Sequence, residues 1–233
     1  MAFILLSMSN YGISETWHTC IIKLLNVIYF IMNLIKKVGT RTMADYKLNY
    51  VDDGKVYILG EFDETISQNV VPEFTKLIST KKDQKNAEIN IYINSNGGYV
   101  KELLALHTLC DLARKEGIKI ITYVIGIAYS CGSLLAVYGD KRYMYKNATN
   151  LMHLGQATKT IQTPLQLERI SKHVGEFFET TIQIYKQCTK MSEKEIRKKL
   201  EDDDYYLNAQ ECLKYGLCDE IIGEKEITEN CKR

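Results

Sequence analysis

The chain has 233 residues, of which 45% are hydrophobic and 25% are charged. This composition excludes a disordered chain, a collagen-like repeat and a disulfide-stapled miniprotein, and the length is enough for one domain with a buried core. Lys and Arg number 30 against 29 Asp and Glu, a net charge of +1, so no charge bias indicates a nucleic-acid or acidic partner.

The cysteines are odd in number and contain no CxxC pair, which argues against both a metal-binding motif and a disulfide framework. Such usage is typical of a reducing compartment, and a cytoplasmic location is therefore expected. The seven are Cys20, Cys110, Cys131, Cys188, Cys212, Cys218 and Cys231.

Residues 1–42 differ from the rest of the chain. They hold four basic residues and one acidic residue, which leaves 26 basic and 28 acidic residues, a net charge of −2, in 43–233. The stretch 20–34 is strongly apolar, but Lys23, Asn26 and Asn33 interrupt it, and such residues are costly inside a membrane. Three interpretations stay open: a membrane-associating or amphipathic helix, a processed leader, and an upstream extension outside the functional protein. The broken apolar run favours a dispensable or removed segment, with Met43 as a candidate start of the working chain.

From residue 43 onward, apolar residues recur alternately with strand and helix periods. Asp63 is a candidate cap for the first helix, and Pro72 predicts a kink in it or a later start. The alternation predicts βαβ units, and thus an α/β fold with a mostly parallel sheet. Predicted strands cover 55–60, 88–94, 118–125, 142–145, 150–154 and 218–222. Predicted helices cover 63–80, 99–116, 130–138, 164–189, a segment capped by Ser192 and a short segment capped by Asn208.

Two glycine-bearing turns each follow a predicted strand and lead into a predicted helix. The first contains Gly97 and Gly98, and the second contains Ser130, Cys131 and Gly132. A serine at such a turn can expose its hydroxyl where backbone N–H groups converge, which together would stabilise an oxyanion. Taken alone, either turn is more often only a tight connection that needs glycine.

A nucleophilic serine needs a base and an orienting carboxylate. Of the four histidines, His18 lies in the front segment, His107 is expected to be packed, and His173 is expected on the surface. His153 follows the Ser130 helix in a short apolar strand, which makes it the candidate base. Residues 201–204 form an acidic run that would usually be solvated, although the aromatic residues that follow it could turn one member inward.

Taken together, these motifs resemble those of the ClpP family, the proteolytic subunits of the Clp protease, which have the ClpP/crotonase-like fold of repeated βαβ units with a long handle helix. The family's Asn-Ser-Pro-Gly-Gly turn resembles residues 94–98, its Ala-Ser-Met-Gly turn resembles 129–132, and its Met-Ile-His strand resembles 151–153. Its closing segment resembles 204–219, so the motifs run in order through most of the chain. This chain departs from the family pattern in two of these motifs. It has Asn96 in place of the proline, and a single glycine, Gly155, where the family has two after the histidine strand.

The resemblance implies roles for particular residues. Ser130 would be the nucleophile, His153 the base and Asp204 the orienting acid. Asp204 is preferred to its neighbours Asp202 and Asp203 on the motif match. The backbone N–H groups of Gly98 and Cys131 would form the oxyanion hole.

The resemblance also implies a one-domain serine endopeptidase over 43–233 that cuts unfolded polypeptides into short peptides, with no metal or organic cofactor. It would form stacked homo-oligomeric rings through the helix at 164–189 and receive substrate from an AAA+ unfoldase ATPase, in the cytoplasm (of a host cell if the chain is viral). Neither nucleic acid nor a membrane is expected as a partner.

Two other functions stay open on the residues alone. One is a non-catalytic subunit of a mixed ring. The other is a crotonase-like acyl-CoA enzyme, in which the two N–H donors hold a thioester oxyanion and a glutamate near the glycine turns transfers the proton. An α/β-hydrolase esterase is disfavoured, because Asp140 and His153 follow Ser130 too closely for that fold.

Overall fold

A computed structural model describes residues 49–153, 155, 163–201 and 204–223. The front segment 1–42, together with Asp202 and Asp203, lies outside the described residues. Within the described ranges, no helix is both long enough and apolar enough to cross a membrane.

The described residues form an α/β structure, as predicted. The strands are β1 Asn49–Asp52, β2 Lys55–Ile58, β3 Glu88–Ser95, β4 Lys119–Tyr129, β5 Lys141–Tyr145, β6 Thr149–Met152, β7 Tyr205–Asn208 and β8 Glu220–Ile222. The helices are α1 Val71–Lys81, α2 Val100–Lys115, α3 Cys131–Val137, α4 Pro164–Cys188, α5 Glu193–Glu201 and α6 Ala209–Tyr215.

The strands join one sheet that divides at β4. Its main path runs β1-β2-β3-β4-β5-β8, and β6 pairs with β4 and with β7. The first half of β4 pairs with β5, whereas its last residues, Ile127 to Tyr129, pair in parallel with β6. Only β1–β2 and β6–β7 are antiparallel among the described pairings, so the predicted mostly parallel sheet is confirmed.

A bulge lengthens β4 beyond its predicted end at residue 125. Ile93 pairs with Val124 but Ser95 pairs with Ala128, so β4 contains extra residues here. The side-chain oxygen of Asn94 accepts a hydrogen bond from the Ile127 N–H at 3.0 Å and so fills the gap in the backbone ladder. The bulge carries β4 on to Tyr129, directly before Ser130, and bulges commonly re-aim the end of a strand in this way.

The first predicted helix is confirmed, and its winding changes along its length: helical residues run without a break from Glu64 to Lys81. A π-helical turn at Ile66–Val70 precedes α1, and Pro72 lies in the first turn of α1, where proline needs no N–H partner. The Asp63 side chain accepts a hydrogen bond from the Thr65 N–H at 3.0 Å, the second N–H of this helical run, and so caps its start as predicted. Pro72 follows the π-helical turn directly, so it lies where the winding changes within one continuous helical run and does not start a separate helix.

Strand alternation gives the sheet one apolar face and one tyrosine face. Valine and isoleucine side chains of β2, β3 and β4 are buried in the core with the helices. On the other face, the strand register aligns five tyrosines in a row, the tyrosine ladder, whose neighbouring rings stack with centroids 4.7–5.3 Å apart. The ladder consists of Tyr50, Tyr57, Tyr92, Tyr123 and Tyr143.

His107 is packed on α2, as expected, and is buried without a full set of hydrogen bonds. Its ring stacks on Tyr138 with centroids 3.8 Å apart, and its Nε2 has no hydrogen-bond partner among the described residues. Burial lowers the pKa of His107 from 6.5 to about 4, outweighing a backbone hydrogen bond to Leu134 and the charge of Asp111, both of which favour the cation. The folded state therefore holds this imidazole neutral at pH values where the unfolded chain binds a proton.

Acidification is expected to destabilise the fold through His107. Because the folded-state pKa is depressed, stability is intact above pH 6.5 and is lost as the pH falls towards 4, by about 3 kcal/mol in total. The His107→Phe variant keeps an aromatic ring against Tyr138. Its free energy of unfolding should fall less than that of the wild type as the pH drops from 6.5 towards 4. Urea unfolding between pH 7 and pH 4 measures the difference, with His173→Gln as the control because His173 is exposed on α4. Equal pH slopes for wild type and His107→Phe would contradict the assignment.

Candidate active site

Ser130 occupies a strained turn between β4 and α3. Its backbone has φ 55° and ψ −121°, in a region that non-glycine residues rarely adopt. The Ser130 N–H donates to the Leu151 carbonyl at 3.1 Å, so the turn is anchored to β6. This is the geometry of a nucleophile elbow, in which a serine stands at a sharp strand-to-helix turn.

The turn at residues 96–98 packs directly against Ser130. The Gly97 N–H donates to the Ser95 hydroxyl oxygen at 3.0 Å, which closes the turn. A Cβ atom placed on Gly97 would lie 2.6 Å from the Cβ of Ser130, closer than any side chain tolerates. Glycine is therefore required here for the two predicted turns to meet.

Phe62 fixes the orientation of the peptide between Gly97 and Gly98. Its N–H donates to the Gly97 carbonyl at 2.8 Å, and its own carbonyl accepts from the Tyr99 N–H at 2.6 Å. Because C=O and N–H point in opposite directions across a trans peptide, the Gly98 N–H is directed away from Phe62. Gly98 also lines the same cavity as Ser130. Sequence reasoning missed Phe62, since it acts through its backbone and leaves no side-chain signature.

The Cys131 thiol connects the two turns. Its Sγ donates to the Gly98 carbonyl at 3.3 Å, within the range for sulfur. Burial raises the pKa of this thiol to about 11, so it stays protonated and able to donate at neutral pH. The Cys131 N–H is one of the first N–H groups of α3, which have no acceptor within their own helix.

Strand pairing brings His153 and Asp204 together. In the antiparallel ladder of β6 and β7, Met152 pairs with Tyr205, so the next residues along the ladder are His153 and Asp204. His153 Nδ1 lies 3.3 Å from Asp204 Oδ1. Neither β7 nor its pairing was predicted from the sequence, and this register is the physical reason why Asp204 meets the imidazole.

Ser130 and His153 line one cavity of about 280 Å³. The Nε2 atom of His153 is buried and forms no hydrogen bond among the described residues, so the hydrogen bond to Ser130 is not made in this structure. Such bonds are often long in ligand-free enzymes and tighten when substrate binds. The nitrogen that a serine nucleophile would need is therefore available.

One face of α4 forms a wall of the cavity. Phe177, Thr181 and Tyr185 recur at four-residue intervals and all line it. The helix was predicted, but its contribution to the cavity was not. The spacing was visible in the sequence, although nothing there indicated that this face would meet Ser130.

Two other kinds of site, the acid/base glutamate of an acyl-CoA enzyme and a metal centre, find little support among the described residues. Glu102, the glutamate nearest in sequence to the glycine turn, is buried, and its carboxylate accepts from the Ser67 hydroxyl at 2.5 Å and lies 3.4 Å from Lys101 Nζ. It is thus engaged elsewhere and is not free to serve as the acid/base residue of an acyl-CoA enzyme. Among the described residues, no group of three or more His, Cys, Asp or Glu side chains could hold a metal ion.

Comparisons with known proteins agree with this geometry. The family model for Clp protease matches residues 38–225. The ATP-dependent Clp protease proteolytic subunit of Deinococcus radiodurans is 30% identical over 188 residues, which cover 80% of this chain and 88% of that protein. Proteolytic subunit 2 of Chlamydia trachomatis serovar D is 29% identical over 202 residues, covering 82% and 91%, respectively.

The chain belongs to the Clp protease family. The matched region spans every described strand and helix, so the resemblance stated from four short motifs is confirmed, and so is the fold class. The Streptococcus sanguinis proteolytic subunit, at 26% identity, is also matched over 82% of this chain. Membership of the Clp protease family makes this chain a peptidase by descent, and the assignment of its individual catalytic groups rests on the geometry above.

Proposed function

We propose that the chain is a serine endopeptidase of the Clp type, with Ser130 as nucleophile, His153 as general base and Asp204 as the orienting acid. The observation that carries this proposal is the pairing of His153 Nδ1 with Asp204, while the buried Nε2, which has no hydrogen bond to a described residue, belongs to the residue that shares a cavity with Ser130. The strained turn at Ser130 adds independent support, because strain of this kind concentrates at functional sites.

In the proposed reaction, His153 Nε2 takes the proton of the Ser130 hydroxyl as its oxygen attacks the peptide carbonyl. Asp204 keeps the Nδ1 proton in place and stabilises the imidazolium. The N–H groups of Gly98 and Cys131 donate to the oxyanion. His153 then protonates the leaving amine, and the acyl-enzyme is hydrolysed by water, which regenerates Ser130.

Assembly and substrate delivery are part of the same proposal. The first half of α4 is exposed and carries apolar side chains at Leu165, Leu167 and Val174, which supports burial against other subunits in stacked rings. The matched relatives are named ATP-dependent proteolytic subunits, which supports an AAA+ unfoldase ATPase that delivers unfolded polypeptides. The five described cysteines are all unpaired, in keeping with a cytoplasmic location.

Covalent labelling with a fluorophosphonate tests the proposal. The wild-type chain should be modified once, at Ser130, and should lose peptide hydrolysis in parallel, because the probe traps an activated serine. The Ser130→Ala variant should neither react nor cleave, while Ser79→Ala, at an exposed serine on α1, should behave as wild type. A folded, ring-forming wild-type chain that refuses the probe and cleaves no model peptide would instead support a non-catalytic ring subunit.

A further inference from the structure

Three buried polar side chains form a hydrogen-bonded chain behind the nucleophile turn. The Tyr185 hydroxyl lies 2.8 Å from Ser133 Oγ, and Ser133 Oγ donates to Asn150 Oδ1 at 2.8 Å. Each residue is at most 2% exposed. Buried polar groups are costly unless they are bonded to one another, so a chain like this one fixes geometry that apolar contacts leave free.

The three residues belong to three different elements beside the cavity. Ser133 is in the first turn of α3, three residues after Ser130, and Asn150 is on β6, three residues before His153. The bond between Ser133 and Asn150 therefore joins the element of the nucleophile to the element of the base. Tyr185 joins the same chain from α4 and lines the cavity itself.

The directions of the hydrogen bonds follow from the available protons. A serine hydroxyl has a single proton, and Ser133 gives it to the Asn150 oxygen. The Tyr185 hydroxyl must then be the donor to Ser133 Oγ. Burial raises the pKa of Tyr185, which keeps this donor protonated. The order Tyr185 to Ser133 to Asn150 makes Ser133 the only member bonded on both sides.

We propose that Ser133 and Tyr185 are positioning residues for the peptidase reaction, in which their hydrogen bonds to Asn150 and to each other set the separation of Ser130 from His153. The inference rests on the proposed function and names residues that the catalytic triad does not include. The side chains of Leu134, Leu135 and Val137 on α3 are also buried, but apolar packing is non-directional and allows small shifts. The Ser130 N–H bond to the Leu151 carbonyl anchors the start of the turn to β6, and the bond from Ser133 to Asn150 ties the first turn of α3 to the same strand.

Substitutions in this chain should affect turnover unequally. The Ser133→Ala variant leaves both the Tyr185 hydroxyl and the Asn150 oxygen without their partner, and should lower kcat about tenfold with little change in KM, because small misplacements of reacting groups are costly. Tyr185→Phe removes only the terminal donor and should cost about threefold. Since both changes break one chain, their effects should not multiply, and the double variant should match Ser133→Ala within about twofold.

Thr122→Val is the matched control. The Thr122 hydroxyl is also buried and also bonds α3, donating to the Ala136 carbonyl at 2.7 Å, but at the end of the helix remote from Ser130. This variant should lower thermal stability as Ser133→Ala does, yet keep wild-type kcat. Equal losses of kcat in Thr122→Val and Ser133→Ala would show a general stability effect and overturn the inference, as would full kcat in Ser133→Ala.

Crystal structures of wild type, Ser133→Ala and Thr122→Val supply a readout that does not depend on activity. The distance from Ser130 Oγ to His153 Nε2 should differ from wild type by about 0.5–1 Å in Ser133→Ala, a displacement large enough to matter for catalysis, and should be unchanged in Thr122→Val. An unchanged distance in Ser133→Ala would overturn the inference. An inactive wild-type protein would contradict the proposed function, while this distance would still decide whether Ser133 positions the turn.

Discussion

The Asp204→Asn variant is expected to remain folded and to lose about 10³-fold in kcat with KM nearly unchanged. The carboxylate lies 3.3 Å from His153 Nδ1, where the proposed mechanism requires it to keep a proton on that nitrogen. An asparagine can offer an N–H to Nδ1 instead, which places the imidazole proton on Nε2 and removes the acceptor that Ser130 needs. Steady-state hydrolysis of a fluorogenic peptide by the assembled protein measures the loss.

Glu201→Gln is the control for the loss of one negative charge. Glu201 is exposed at the end of α5, three residues before Asp204, and should retain wild-type kcat when neutralised. Retention of more than about a tenth of wild-type kcat by Asp204→Asn would remove Asp204 from the triad, because such a change of tautomer costs far more.

Gly98→Ala is expected to lower kcat by about 10²–10³-fold, which is the usual effect of losing one oxyanion donor. Gly98 has φ 144°, and a Cβ atom there would lie 2.5 Å from the carbonyl oxygen of Phe62. The opposing atoms belong to the backbone and cannot move aside, so the peptide that carries the Gly98 N–H must rotate. Active-site titration with the fluorophosphonate, normalised to the folded fraction, separates this loss from unfolding.

Gly117→Ala separates backbone strain from steric conflict. Gly117 has φ 75°, but a Cβ atom there would meet nothing within 4 Å. This variant should lose about 1 kcal/mol of stability and keep its kcat, since it lies after α2 and outside the cavity. If Gly98→Ala were as active as Gly117→Ala, the Gly98 N–H would have no part in oxyanion stabilisation.

Periodicity in the sequence predicted most helices and parallel strands, because each buries one face of regular spacing. Asn208 caps α6 as expected, accepting from the Glu211 N–H at 3.0 Å. The β1–β2 hairpin was not predicted, although Asp53 and Gly54 both adopt positive φ, as Asp-Gly does in tight hairpin turns. The end of β4 was also missed, because the bulge that extends it depends on Asn94 from a neighbouring strand.

Sequence reasoning reached the candidate catalytic residues through motifs, not through geometry. Nothing local distinguishes Asp204 from the acidic residues before it, and only the pairing of Met152 with Tyr205 places it opposite His153. The hydrogen bonds of Phe62 to the glycine turn and of Tyr185 to Ser133 join residues far apart in the chain. Long-range pairings of this kind have no periodic signal, so they had to come from the structure.

The tyrosine ladder gives the protein an optical signature of its own strand register. The single tryptophan is Trp17, so the near-ultraviolet absorption of residues 43–233 comes mainly from tyrosine. Rings stacked 4.7–5.3 Å apart couple their electronic transitions, and the coupled signal depends on their alignment. A slip of one residue in any strand would move its ring to the opposite face of the sheet and break the row. Near-ultraviolet circular dichroism can therefore follow the assembly of the sheet without any added label.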